Sequence, residues 1–434
     1  MKLLLVLKLF FFITALSIVN NLIAQNYSFK HIGAEDGLSS NIVRHINKDS
    51  KGFIWICCDN ALNRYNGETF KKYIHIPGDS TSITSGGINS TLTDNDGNLW
   101  ISTKNGVSTF DYKTEKFERI FEIQGDSSFV RNLYLTRENE LLIIVTSGIY
   151  IYNKEQQKVR KFLQSPIDKD ASVLTEDNYG NLYLGTGGNG IVVISSDRKR
   201  NFIKEIPSKT DFKGANSIQS MVIDEKGRLW IGSRSGFFVA NTSKNINELN
   251  FQIKHVLNKD GNAIQISSNM IHSLCIVENN KIWIGTENGL NIYDPETKEI
   301  QILYSSKNSS GVLSNNLILN VFNDKSNGVW IGTYQGGMNF YSKGNIPFPD
   351  KIPFINHTEN KLIQYVKSVY QQPDGKLWVG TDFGLLCFNE MFQLEKTYTY
   401  SDQQGSLPIG GVTVFDVRTY WTNFSINLRD TFYT

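Results

Sequence analysis

The sequence predicts an all-β fold: a seven-bladed β-propeller of four-stranded antiparallel blades, followed by the first blade of an incomplete second propeller. Three observations carry this. An aromatic-apolar phrase recurs eight times, a turn signal precedes it at constant distance, and the composition favours strands. Of 434 residues, 35 are Gly, 9 are Pro and 12% are aromatic. No stretch shows the 3.6-residue apolar period of a solenoid helix.

The phrase reads GFIWICC (52–58), GNLWIST (97–103), NELLIIV (139–145), GNLYLGT (180–186), GRLWIGS (227–233), NKIWIGT (280–286), NGVWIGT (327–333) and GKLWVGT (375–381). Its anchors are Trp55, Trp100, Leu142, Tyr183, Trp230, Trp283, Trp330 and Trp378, spaced 41 to 53 residues apart. Six places before the anchor, five copies carry Asp49, Asp94, Asp177, Asp224 or Asp324. Three places before it every copy carries Gly or Asn, including Asn139, Asn280 and Asn327. Asp opening a turn and a residue tolerant of positive φ closing it mark a type I hairpin. The phrase itself is branched and aromatic, and so a strand. Short turns such as Asn288-Gly289 then lead to third strands such as 290–293. Fourth strands resemble 70–73.

An inner strand precedes each turn. Twelve places before the anchor stand Val43, Ile88, Val130, Ala171, Ile218, Ile271, Ile318 and Val366, all apolar. A mostly polar pair follows, as in Arg44-His45, Asn89-Ser90, Arg131-Asn132, Gln219-Ser220, His272-Ser273 and Lys367-Ser368. Polar pairs on a buried strand need a wet surface, which a central channel supplies. Arg44, His45, Asn89, Arg131, Gln219, His272 and Lys367 are therefore the candidate ligand-binding residues. Four strands per repeat, arranged radially, make a propeller blade.

The ends follow. Lys2 and Lys8 flank the start of an apolar run at 9–19, too short to span a bilayer, and Ala24 offers a cleavage point. Residues 1–24 read as a signal peptide. The segment 27–32 matches an outermost strand and is expected to complete the last blade, removing an open edge. Pro347, Pro349 and Pro353 mark a link. The first propeller is thus expected over 27–345, with 346–434 as the incomplete second one. A single eight-bladed ring is the competing arrangement. Beyond Gly405–Pro408 the repeat pattern stops, as in a reading frame cut short.

Charge and motifs exclude several functions. Lys and Arg number 44 against 42 Asp and Glu, net +2, which does not suit a nucleic-acid binder. The basic run at 198–200 reads as a solvated loop. Gly185–Gly190 fits G-x-G-x-x-G, but a strand follows where a dinucleotide site needs a helix. Asp94–Gly97 lacks the distal Glu of a calcium loop. An Asp-box glycosidase would set Asp two places before Gly, whereas here it stands three before. The Trp ladder reads as packing between blades. No His spacing suggests a metal, and nothing points to a cofactor. Cys57, Cys58, Cys275 and Cys387 read as packed thiols, with Cys57 and Cys58 on opposite faces of one strand.

The opening Glu35–Asn41, the phrase 49–56 and the segment 62–67, with 330–341 further on, resemble the two-component regulator propeller. The resemblance covers about residues 27–400. It is to the periplasmic sensor region of hybrid two-component regulators from Bacteroidetes-type bacteria. It implies periplasmic localisation, an oligosaccharide ligand, and a longer parent carrying a second propeller and a histidine kinase. A homodimer is also compatible with it. None of the six His is followed by Glu or Asp, as a phospho-acceptor box requires, and no kinase motif is present. The expected function is a non-enzymatic, exported sensing module. An exported propeller glycosidase or lyase and an extracellular protein-binding scaffold are the alternatives.

Overall fold

The repeated phrases fold as strands because branched and aromatic residues fill both faces of a buried pleat. In the computed structural model each forms the second strand of a four-stranded antiparallel sheet. The structure describes residues 27–342 apart from 86, 124–127, 164–167, 207–213, 248–249, 257–260, 307–310 and 327. It also describes 366–399 apart from 373–375, 382–383 and 390–393. The proposed signal peptide, the proline cluster, Asn327 and the tail beyond 399 lie outside the described residues. The chain divides into two compact units between Pro349 and Asp350.

The first unit holds seven sheets. Their innermost strands are Val43–Lys48, Ile88–Thr93, Val130–Leu135, Ala171–Glu176, Ile218–Ile223, Ile271–Val277 and Ile318–Asn323. Each touches the next, and the last touches the first, so the seven close a ring. In six blades the strands run outward in chain order. The seventh contains Ile318–Asn323, Gly328–Thr333 and Met338–Ser342, and takes its outermost strand from Lys30–Ile32. Lys30, His31 and Ile32 pair with Phe340, Asn339 and Met338. The N-terminal strand thus covers an edge that would otherwise expose unpaired backbone groups.

The hairpin Asp does more than open a turn. Gly52 N donates to Asp49 O (3.1 Å), closing the turn, and Gly52 sits at φ 90°. The Asp49 carboxylate accepts from Lys51 N and Phe53 N through Oδ1, and from Trp55 Nε1 through Oδ2 at 2.7 Å. The clamp repeats: Trp100, Trp230 and Trp330 donate to Asp94, Asp224 and Asp324 at 3.0, 2.9 and 3.1 Å. In the fourth blade Tyr183 OH replaces the indole on Asp177. The Asp at minus six and the aromatic anchor are thus two halves of one hydrogen-bonded unit.

The anchors pack between blades. Trp55 lies in a cluster with Ile88, Leu99, Ile101 and Phe110 of the second blade. Trp330 packs with Val43, Ile46 and Ile56 of the first, across the closing seam. Burying one such aromatic is worth about 4–6 kcal/mol at most. Blades approach closely where the phrase ends in Gly-Thr or Gly-Ser. A Cβ on Gly185, Gly232 or Gly285 would stand 2.5–2.7 Å from Cγ2 of Ile218, Ile271 or Ile318 on the next inner strand. Gly332 meets Val43 in the same way. Buried Asn63, Asn291 and Asn339 hold the loops between blades, each accepting from the backbone of Ser39, Ser267 or Ser314 at 2.8–3.0 Å.

Cys57 and Cys58 enter different clusters on the two faces of their strand. All four cysteines are free thiols, and burial pushes Cys58 up to about 11 and Cys275 up to about 12. Residues 187–190 form a turn between the strands Leu182–Thr186 and Ile191–Ile194, not a nucleotide loop.

The second unit contains one four-stranded sheet: Val366–Gln371, Leu377–Thr381, Gly384–Phe388 and Leu394–Thr399. Leu377, Val379, Leu386 and Phe388 form its core. Among the described residues no helix is long and apolar enough to cross a membrane.

Candidate functional site

Each inner strand begins with an apolar residue, then slips register by one. Val43 pairs with Cys58 and His45 with Cys57, leaving Arg44 as the extra residue of a β-bulge. The same slip leaves Asn89, Arg131, Ser172, Gln219, His272 and Leu319 unpaired. The polar pair is therefore a bulge followed by a regular residue, and the seven bulges form one ring because the inner strands do. Lys367 occupies the corresponding bulge of the second unit.

The two members of the pair do different work. The second member ties blades together. His45 Nδ1 accepts from Thr91 N (3.4 Å), Ser220 Oγ from Leu274 N (2.9 Å), Ser273 Oγ from Val321 N (3.0 Å) and Asn320 Oδ1 from Ile46 N (3.1 Å). Burial lowers the His45 pKa to about 4, so the ring stays neutral and can accept. His45 is thus an inter-blade link.

The bulge members are more varied. Arg44 is exposed. Arg131 forms an ion pair with Asp170 (2.8 Å), stacks over Phe129, and keeps a buried Nε without a partner. Gln219 donates to Ser217 Oγ (3.1 Å) and Asn89 to Val130 O. Burial lowers the His272 pKa, opposed by Glu287 and reinforced by Arg234.

Those last two residues disclose a second set that the sequence reading missed. In four Trp-anchored blades the residue after the Trp-x-x-x phrase bonds back to the residue preceding an inner strand. Arg234 N donates to Ser217 O (3.1 Å), Glu287 N to Met270 O (3.1 Å), and Tyr334 N to Leu317 O (3.0 Å). Lys104 N donates to Gly87 O (3.0 Å). This places Lys104, Arg234, Glu287 and Tyr334, all exposed, beside the bulges on the same rim. The signal was present: this place varies freely after an otherwise constant phrase. The rim thus presents cations, an acid, amides and an aromatic ring, a set suited to binding a polar ligand.

A closed ring of four-stranded blades with a variable polar rim defines a repeat-built β-propeller. Three of its repeats resemble those of a known family: the model described as two component regulator propeller matches residues 82–105, 213–235 and 265–288. A segment of 59 residues is 42% identical to a histidine kinase of Formosa agariphila, covering 14% of this chain and 4% of the kinase. The extracellular domain of a hybrid two-component system from B. thetaiotaomicron superposes with a TM-score of 0.60 at 26% identity, over 86% of this chain and 49% of that one. The extracellular domain of a one component system from B. thetaiotaomicron gives 0.59 at 22% identity, over 90% and 50%. The chain spans about half the length of these solved domains.

Proposed function

We propose that this chain is the ligand-sensing propeller of an exported two-component regulator, acting outside the cytoplasm by binding rather than by catalysis. The ring of bulge residues carries the reading. A bulge re-aims a side chain without breaking the ladder, so each blade offers one variable group to a shared rim while its scaffold stays constant. The likeness to the extracellular domain of a hybrid two-component system supports the sensing role and a periplasmic location. The proposed ligand is an oligosaccharide, whose hydroxyls suit Arg44, Arg131, Gln219 and His272 together with Tyr334. A second propeller and a histidine kinase, in a longer parent, would receive the signal.

The test is calorimetric titration of the full chain with a panel of glycan-derived oligosaccharides. One member should bind, and Arg44→Ala with Arg131→Ala should weaken it by about tenfold or more, because hydrogen bonds to charged groups are worth about 1.5–3 kcal/mol each. Binding unaffected by both changes, or sugar release from the panel, overturns the reading.

A further inference from the structure

The sixth blade breaks the clamp rule. Val277 stands six places before Trp283, where other Trp-anchored blades of the first unit carry Asp. The turn compensates in its backbone: Asn279 and Asn280 both adopt left-handed conformations, at φ 59° and 57°. Trp283 is 1% exposed, yet among the described residues its indole N–H has no acceptor, unlike those of Trp55, Trp100, Trp230 and Trp330.

A cavity of about 560 Å³ opens at this point, lined by both Val277 and Trp283. That volume falls in the range of small-molecule sites. Tyr27 and Tyr341 form its aromatic wall, each within 5.4 Å of the Trp283 ring by centroid. Lys281 and Lys325 also line it, and neither has an ion-pair partner among the described residues. Glu225 and Glu278 complete the charged lining, with Glu225 accepting from Asn280 Nδ2 at 3.3 Å.

We infer that this cavity binds a sugar acid, with the ligand's carboxylate on the Trp283 indole N–H where a turn Asp stands in the other blades. The two lysines supply the compensating charge. The two glutamates accept from the ligand's hydroxyls, and the aromatic wall covers its apolar face. A neutral sugar brings hydroxyls but no carboxylate to stand in the place of the turn Asp. The site lies at the turn end of the blades and is separate from the bulge ring, so it stands or falls independently of the oligosaccharide reading.

The probes are glucuronate and glucose, titrated against the full chain carrying 5-fluorotryptophan. Fluorine NMR reads the seven Trp signals, and Trp283→Phe assigns the relevant one. Glucuronate should move the Trp283 signal saturably, while glucose at the same concentrations leaves it in place. Val277→Asp builds the missing carboxylate into the turn and should abolish the response, with the melting temperature unchanged or raised. Lys281→Ala and Lys325→Ala, surface changes that leave the turn intact, should each weaken binding by about tenfold. No response to glucuronate, an equal response to glucose, or a response that survives either Val277→Asp or both lysine changes overturns the inference.

Discussion

Replacing Asp49 with alanine tests whether the recurrent Asp is a structural clamp. The carboxylate is buried and accepts four hydrogen bonds: from Lys51 N, Phe53 N, Trp55 Nε1 and, from the second blade, Tyr112 OH at 2.8 Å. Water can reach the Lys51 amide once the carboxylate is gone. The indole cannot be rescued so easily, because Trp55 is 0% exposed. A buried donor left unmade costs about 1–3 kcal/mol, so Asp49→Ala should lose about 2–4 kcal/mol in total. Asp49→Asn keeps an oxygen for the turn amides but sets an NH2 group against the indole N–H. It should lose about 1–3 kcal/mol for that reason. The assay is urea unfolding of the full chain, with Trp55→Phe and the double variant Asp49→Ala/Trp55→Phe completing a cycle. The coupling should be about 1–3 kcal/mol, well above the roughly 0.3–0.5 kcal/mol within which independent sites add. Additive losses, or an Asp49→Ala variant as stable as the parent, would refute the clamp.

Two further outcomes follow from the inter-blade seams. His45 is held neutral by burial, with its pKa down at about 4 against an ordinary 6.5. Between those values the unfolded chain takes up a proton that the folded chain does not, so this contribution to stability is full above pH 6.5 and is lost as pH falls toward 4. His45→Asn, which copies the Asn320 acceptor of the seventh blade, should remove roughly 1–3 kcal/mol of that acid dependence; an unchanged slope in denaturation between pH 6.5 and 4 contradicts it. Gly332→Ala would put a Cβ 2.7 Å from Val43 Cγ1 at the seam where the ring closes, and should cost about 1–3 kcal/mol. Gly188→Ala, with nothing within 4 Å, should be nearly neutral, so equal losses at both sites dispose of the seam argument.

Much of this architecture was legible because a propeller repeats its local rules. The Asp and Gly of each hairpin, the apolar phrase and the polar pair are short-range features, and each recurs at nearly fixed spacing. From them alone came the four-stranded unit, the number of repeats, and the expectation that Cys57 and Cys58 part to opposite faces. The edge-strand character of 27–32 was also visible, although its partner Met338–Phe340 lies some 300 residues away. What stayed hidden depends on neighbours. Two adjacent polar residues on a strand do not reveal which one bulges and which one bonds to the next blade; only the register of Val43 and His45 against Cys58 and Cys57 separates Arg44 from His45. The Gly of Trp-Ile-Gly-Thr reads as a strand residue of no consequence until the next blade's Ile or Val is seen against it. Likewise the absence of Asp before Trp283 is a small gap in a pattern, and it acquires chemical meaning only beside a cavity lined by two lysines. The sequence determined the blade because hairpin chemistry is local. The tertiary structure decided the rim, the seams and the cavity because those arise where one blade meets another.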